Sequence, residues 1–266
     1  MSGCLTSPPN KPPTAAKLPV RSTSARNQGS GKFSSSKVTT LTSYGSYGYN
    51  VADLDQDGYQ DVVIANYYND SAYAINSMVY WGSAAGYSTA DSTALATTGA
   101  VRVLIEDLNL DGWDDLTFVS HYNSTYTVNS IIYFGSASGF STSRTTSLST
   151  TGGWEGLVED LDSDGYPDLI FCNYKSDSSY STNSYIYWGS SGGYSSSDRT
   201  SLPTSGCHDV DTGDFNADGY PDIAFAEPLR RRLPRLTACS LAVARSGLFL
   251  SPSPRGSHHL RILGRR

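Results

Sequence analysis

Four short apolar runs recur along the chain: Val62-Val63-Ile64-Ala65, Leu116–Val119, Leu169–Cys172 and Ile223–Ala226. They are too short for helices and do not alternate polar with apolar, a pattern that predicts strands covered on both faces. In the first unit a strand is expected just before an acidic loop, at Tyr49–Ala52, and the apolar strand just after it, at Asp61–Asn66. A third follows at Met78–Trp81, and a fourth, rich in Ser and Thr, near Ser88–Ala96. Units of four strands that bury their faces only against neighbouring units predict β-propeller blades.

Self-comparison gives a period of 53 or 54 residues, anchored by Asp-x-(Asp/Asn)-x-Asp-Gly-x-x-Asp starting at Asp53, Asp107, Asp160 and Asp214. A glycine precedes each start by eight residues (Gly45, Gly99, Gly152, Gly206). Between the acidic loops recur Tyr80-Trp81-Gly82-Ser83, Tyr133-Phe134-Gly135-Ser136 and Tyr187-Trp188-Gly189-Ser190. Gly29-Ser30 lies 53 residues before Gly82, so the pattern begins there. The fold class expected is all-β, with four-stranded antiparallel blades in about 3.7 repeats, an incomplete propeller.

Charge divides the 266 residues into three segments. Residues 1–28 carry four bases and no acid, 29–227 carry six bases and all 25 acids, and 228–266 carry nine Arg and no acid. The middle segment is the repeat region. The Pro-rich first segment and the Arg-rich last one are expected to be disordered or weakly packed. After Glu227 no Tyr-Trp-Gly-Ser strand follows, so no third or fourth strand is expected to complete the last blade. Residues 228–266 therefore read as an out-of-frame or unrelated tail on a piece of a longer propeller, and Phe33–Leu41 as a strand able to take a fourth-strand place. No apolar stretch approaches the roughly 20 residues of a membrane span, and residues 1–30 hold no signal-peptide apolar segment. The four cysteines fit neither a disulfide framework nor a paired-cysteine metal motif.

Alternate acids in each loop aim hard oxygen donors at one centre, a glycine at position six permits the turn, and the last Asp closes the site. That chemistry suits Ca²⁺, which takes six to eight oxygens in flexible geometry. The expected ligands are Asp53, Asp55, Asp57 and Asp61; Asp107, Asn109, Asp111 and Asp115; Asp160, Asp162, Asp164 and Asp168; Asp214, Asn216, Asp218 and Asp222. Tyr59, Trp113, Tyr166 and Tyr220, at position seven, would add backbone carbonyls. An EF-hand fails at position twelve, where Ile64, Phe118, Phe171 and Phe225 stand in place of a bidentate Glu. Plain Asp-Gly hairpin turns are the competing reading, weakened by four copies of a closing Asp whose charge needs a cation.

The segments DLDQDGYQDVVIAN, DLNLDGWDDLTFVS, DLDSDGYPDLIFCN and DFNADGYPDIAFAE resemble the FG-GAP or VCBS repeats of integrin-α-like propellers, over residues 29–227. The resemblance implies calcium at these loops, a secreted or cell-surface setting, and protein or glycan ligands. Family propellers usually close with seven blades, so further blades from a longer chain are expected partners.

Strand parity sends the acidic loops to one end of the blades and the two-to-three loops to the other, beside the residues that enter each blade. The expected ligand face comprises Tyr47, Tyr68, Tyr73, Tyr122, Tyr126, Trp154, Tyr174, Tyr180 and His208. Tyr and Trp among small polar residues suit adaptable recognition and sugar stacking. His121 and His208 replace other residues in sister units and read as surface positions. No nucleophile and base pair converges, and Gly189-Ser190-Ser191-Gly192-Gly193 lies in a strand turn without the helix a nucleophile elbow needs. The basic ends carry no aromatic platform for nucleic acid, which the anionic repeats would repel. The function expected is a calcium-binding, non-enzymatic adhesion or ligand-binding module; a polysaccharide-acting propeller enzyme, or an accessory domain of one, is the alternative.

Overall fold

The computed structural model describes residues 21–27, 33–228 and 239–244, and all regular elements among them are strands. β1 (Arg21–Asn27) and β2 (Phe33–Thr42) form a hairpin. Three four-stranded antiparallel sheets follow in meander order. The first is β3 (Gly48–Ala52), β4 (Asp61–Ala65), β5 (Ala74–Tyr80) and β6 (Ser92–Thr98). The second is β7 (Ala100–Glu106), β8 (Asp115–Ser120), β9 (Thr127–Tyr133) and β10 (Thr145–Thr151). The third is β11 (Gly153–Glu159), β12 (Asp168–Asn173), β13 (Ser181–Tyr187) and β14 (Arg199–Ser205). A fourth sheet holds β15 (Asp209–Gly213), β16 (Asp222–Pro228) and β17 (Cys239–Ala244). The sheets are blades of an incomplete propeller and close no barrel.

Two strands fall where the sequence suggested none. β1 lies within the segment read as disordered, and β17 pairs with β16 from Ile223↔Ala244 to Pro228↔Cys239, a third strand where none was expected after Glu227. Backbone pairing needs no Tyr-Trp-Gly-Ser motif, so the motif's absence did not exclude a strand. The rest of both terminal segments lies outside the described residues.

The cores lie between blades. Val63, Ala65, Val79 and Leu95 of the first blade pack with Val103, Leu116, Phe118 and Tyr133 of the second. The next junctions repeat this, with Val119, Ile132 and Leu148 against Leu169, Phe171 and Tyr187, then Ile170, Cys172 and Ile186 against Val210, Ile223 and Phe225. Continuous apolar runs on second strands follow from this, since both faces meet a neighbour.

Third strands start earlier than the apolar pattern suggested because their first halves bury hydroxyls. Ser77 and Thr97 Oγ atoms lie 2.8 Å apart, Ser130 and Thr150 3.0 Å, Ser184 and Thr204 2.9 Å. The Ser77 and Ser184 hydroxyls also accept the N–H of Asn66 and Asn173. Ser and Thr here are satisfied core groups.

Cys172 of β12 and Cys207, just before β15, form a disulfide across 35 residues, which corrects the reading that the cysteines fit no disulfide. Both are fully buried at the junction of the last two blades. On the chain-entropy account a loop of that length stabilises by about 4 kcal/mol. The Cys207→Ala variant is expected to show a correspondingly lower denaturant midpoint, and an unchanged midpoint would show the bridge to be energetically silent.

Candidate functional site: acidic loops and the aromatic end

Each acidic loop joins the first and second strands of a blade and is wound by its own carboxylates. Asp53 accepts the N–H groups of Asp57 (3.0 Å) and Gly58 (2.9 Å), and Asp57 accepts that of Tyr59 (2.8 Å). The same bonds recur from Asp107, Asp160 and Asp214. Position four takes a left-handed conformation (φ 60° at Gln56, 59° at Leu110, 61° at Ser163, 60° at Ala217), and the glycine after the third acid sits near +90°. That repeated strain at non-glycine residues is offset by the carboxylate bonds around it.

The closing aspartates are the buried members. Asp61 and Asp115 are wholly buried and Asp168 nearly so. Asp61 accepts Leu54 N–H (2.8 Å) and Gly82 N–H (2.7 Å), and Asp115 and Asp168 accept the equivalent pairs from Leu108 and Gly135, and from Leu161 and Gly189. This explains the Trp-Gly-Ser motif, since a Cβ at Gly82, Gly135 or Gly189 would lie 2.2–2.3 Å from the carbonyl oxygen of Gln60, Asp114 or Pro167. Only glycine lets strand three come close enough to donate to the closing Asp. Asp222 accepts Phe215 N–H (3.1 Å) and the Asn216 amide (3.5 Å).

Burial raises the closing carboxyls, to about 7 at Asp115 and about 6 at Asp168; the N–H bonds oppose the shift and neighbouring loop acids add to it. Asp61 and Asp55 are raised for the same leading reason. Asp214 is held low, chiefly by the Gly219 N–H. A divalent cation is the natural compensation for desolvated acids beside like charges.

The loops are not equal. Asp53, Asp55 and Asp61 bring carboxylate oxygens within 4.8 Å of one another, as do Asp160, Asp162 and Asp168, so hard oxygen donors converge as Ca²⁺ requires. In the second loop Arg144 bonds Asp111 at 3.2 Å, and the Asn109 amide also donates to Asp111 at 3.2 Å. Asn109 and Asn216 each accept a backbone N–H, from Asp111 and Asp218. Loops one and two are bridged by Gln56, whose amide donates to Gly112 O at 2.7 Å.

The opposite end gathers the aromatic residues. Trp154 sits at a hub, its ring 5.8 Å from Tyr47, 5.1 Å from His121, 6.2 Å from Tyr174 and 5.9 Å from His208. A line of rings continues from Tyr68 to Tyr73 (4.6 Å), Tyr122 (5.0 Å) and Tyr126 (4.8 Å). Tyr180 contacts Tyr174 at 5.1 Å. The nine predicted ligand residues are thus brought together, but not all are accessible. Trp154, Tyr126 and Tyr174 are buried, which corrects their reading as an exposed contact surface. Tyr47 is 44% exposed, and Tyr68, Tyr73, Tyr122, Tyr180 and His208 are half-buried.

His121 corrects a second expectation. It is buried, its Nδ1 lies 3.1 Å from Gly153 O, and desolvation pushes its pKa down to about 4 against that bond, so it is a neutral packing residue. Its replacement of Tyr67 and Tyr174 at the equivalent position is the signal for this role, since Tyr67 and Tyr174 are buried too. Lys175 was missed. Its Nζ lies 4.6 Å over Tyr126 and 5.1 Å over Tyr180, at the position held by Tyr68 and Tyr122 in sister blades.

Two comparisons bear on these features. Residues 160–225 match the model of the FG-GAP-like repeat. The chain is also 32% identical over 139 residues to human integrin alpha-6, a match covering 47% of this chain and 12% of that protein's length. The family-model match runs from the acidic loop after β11 into β16.

Proposed function

We propose that this chain, built of FG-GAP-like repeats of the integrin-alpha kind, is a calcium-binding, non-enzymatic module that holds a protein or glycan ligand at its aromatic end. The observation that carries the reading is the division of labour between the ends of the blades. One end converges carboxylate oxygens at loops one and three, and the other presents half-buried tyrosines braced on buried Trp154 and Tyr174. Calcium would be held first by Asp53, Asp55 and Asp61 and by Asp160, Asp162 and Asp168. Asp57, Asp164 and the carbonyls of Tyr59 and Tyr166 would complete those shells. Loops two and four would bind more weakly, because amides replace a carboxylate in each and Arg144 neutralises Asp111. The ion would supply charge compensation that fixes the first three loops against the glycine that follows strand three. Rigid blades then hold the tyrosines in place at low entropic cost, as in other tyrosine-rich recognition surfaces. The integrin-like repeats and the Cys172–Cys207 bridge both suit an extracellular or cell-surface setting.

The test joins calorimetry with a binding screen. Titration with CaCl₂ is expected to resolve two tighter sites, one lost in Asp55→Ala and the other in Asp162→Ala. In calcium at about 1 mM, the range of extracellular modules, panels of immobilised matrix glycoproteins and polysaccharides are screened with the wild type. Tyr122→Ala is expected to weaken any hit about tenfold or more, the loss of one aromatic anchor, without changing the calcium titration. Equal loss of ligand binding in a folded Asp55→Ala variant, with none in Tyr122→Ala, would place the ligand at the other end.

A further inference from the structure

The loops between second and third strands carry a motif that neither the calcium sites nor the aromatic face explains. Asn69-Asp70-Ser71 and Asn123-Ser124-Thr125 are Asn-x-Ser/Thr triplets at the same place in the first and second blades, where the third blade has Ser176. Such a triplet can carry a glycan only on an open surface loop. All six residues are exposed, in the connections from β4 to β5 and from β8 to β9. The middle residue is left-handed in each, φ 71° at Asp70 and 63° at Ser124, a conformation closed to the proline that would disable the triplet. Asn69 Oδ1 accepts the Ser71 hydroxyl (2.9 Å) and the N–H groups of Ser71 (3.3 Å) and Ala72 (2.9 Å). Backbone bonds from Asn69 N–H to Ala72 O (3.2 Å) and from Asn123 N–H to Thr125 O (3.0 Å) pin the two turns. Among the described residues, Nδ2 of Asn69 and of Asn123 donates no hydrogen bond, so both amide nitrogens are available at the surface. Asn66 and Asn173 differ, since their Nδ2 atoms are spent inside the blades on Asn76 O and Asn183 O.

We propose that Asn69 and Asn123 are N-glycan acceptors, and that their glycans screen the first- and second-blade tyrosines of the aromatic end while the third blade stays bare. The proposal rests on the extracellular or cell-surface setting proposed for this chain. The donor is a lipid-diphosphate-linked oligosaccharide. Nδ2 bonds to its anomeric carbon, the bond from that carbon to the phosphate oxygen breaks, the lipid diphosphate leaves with the electron pair, and one amide proton passes to a base of the transferase. Nothing is oxidised or reduced. Position gives the attachment its consequence. Asn69 follows Tyr68 and Asn123 follows Tyr122, and Tyr68, Tyr73 and Tyr122 form one line of rings at 4.6 and 5.0 Å, so a bulky hydrophilic chain rises from each end of that line. In the third blade Lys175 replaces the tyrosine and Ser176 the asparagine, and Lys175 Nζ lies 5.1 Å over the Tyr180 ring. A ligand of the glycosylated chain is thereby directed to Lys175 and Tyr180, and the whole line of rings is open only in the unmodified chain.

The test is to express the full chain behind a cleavable secretory leader in cultured animal cells. The secreted chain is expected to migrate more slowly in two discrete steps, both removed by peptide-N-glycosidase. Asn69→Asp and Asn123→Asp should each remove one step; aspartate keeps the Oδ acceptor that winds the loop at Asn69 and lacks the nitrogen that takes the sugar. Ser71→Ala should remove the first step and Ser71→Thr restore it, which separates the triplet chemistry from damage to the loop. Hydroxyl-radical footprinting should then show Tyr68 and Tyr122 losing oxidation in the glycosylated chain relative to the enzymatically stripped one, with exposed Tyr59 at the calcium end unchanged. A secreted, folded chain that does not shift, or a shift indifferent to both aspartate variants, would overturn the acceptor assignment, and equal oxidation of Tyr68 and Tyr122 in the two forms would overturn the screening. Because the leader supplies the compartment, such failures leave the extracellular reading standing; its own failure would appear separately, as free thiols at Cys172 and Cys207 in the chain isolated from its native cells.

Discussion

Chelating calcium at pH 8 is expected to lower the melting temperature of this chain by roughly 10–20 °C. Each of the two convergent sites contributes about 2.7 kcal/mol at a hundred times its dissociation constant, and a domain of this size shifts about 2–4 °C per kcal/mol. The pH dependence has a definite sign. Without calcium, Asp115 and Asp168 hold protons up to about 7 and about 6 in the folded chain, against an ordinary aspartate value near 4 when unfolded. The folded state therefore binds more protons between those values, and the contribution of these groups is fully present below pH 4 and lost as pH rises through about 7. Calcium reverses the slope because it stabilises the ionised form. The gap between melts in EDTA and in millimolar calcium should be wide at pH 8 and narrow at pH 5. Superimposable melts at pH 8 would refute calcium binding at these loops.

The blade plan was legible because it is written in spacing. Asp53, Asp107, Asp160 and Asp214 mark the loops, and the unbroken runs at Val62 and Leu169 mark strands with two covered faces, features set by local geometry. The inequality of the loops was less legible. It depends on Arg144 reaching Asp111 from the loop after strand three, a contact across 33 residues that no motif announces. Cys172 and Cys207 were opaque for a related reason, since each is a core position in its own repeat and they meet only across a blade junction. At the aromatic end the sequence showed which residues gather there but not their depth. Trp154 and Tyr126 share a composition with exposed Tyr47, and only packing against neighbouring loops separates a bracing ring from a contacting one.

That separation sets the last expectation, in which Trp154→Ala acts on the fold first and on recognition second. Its ring is 3% exposed and meets rings from the first, second, third and fourth blades, namely Tyr47, His121, Tyr174 and His208. Truncating a buried Trp costs about 3–5 kcal/mol, because the lost transfer energy is joined by a cavity the neighbours only partly fill. Trp154→Phe should recover much of that, as an aromatic ring still separates Tyr47 from Tyr174. Tyr122→Ala should cost about 1 kcal/mol or less, since a half-buried ring leaves no enclosed cavity. Denaturant titrations in saturating calcium give the stabilities, and ligand binding is then compared at concentrations where every variant is folded. Trp154→Ala is expected to show the larger stability loss, and Tyr122→Ala the larger loss of affinity per unit of stability lost. Were Trp154→Ala as stable as wild type and simply unable to bind, the ring would be a contact residue and not a brace.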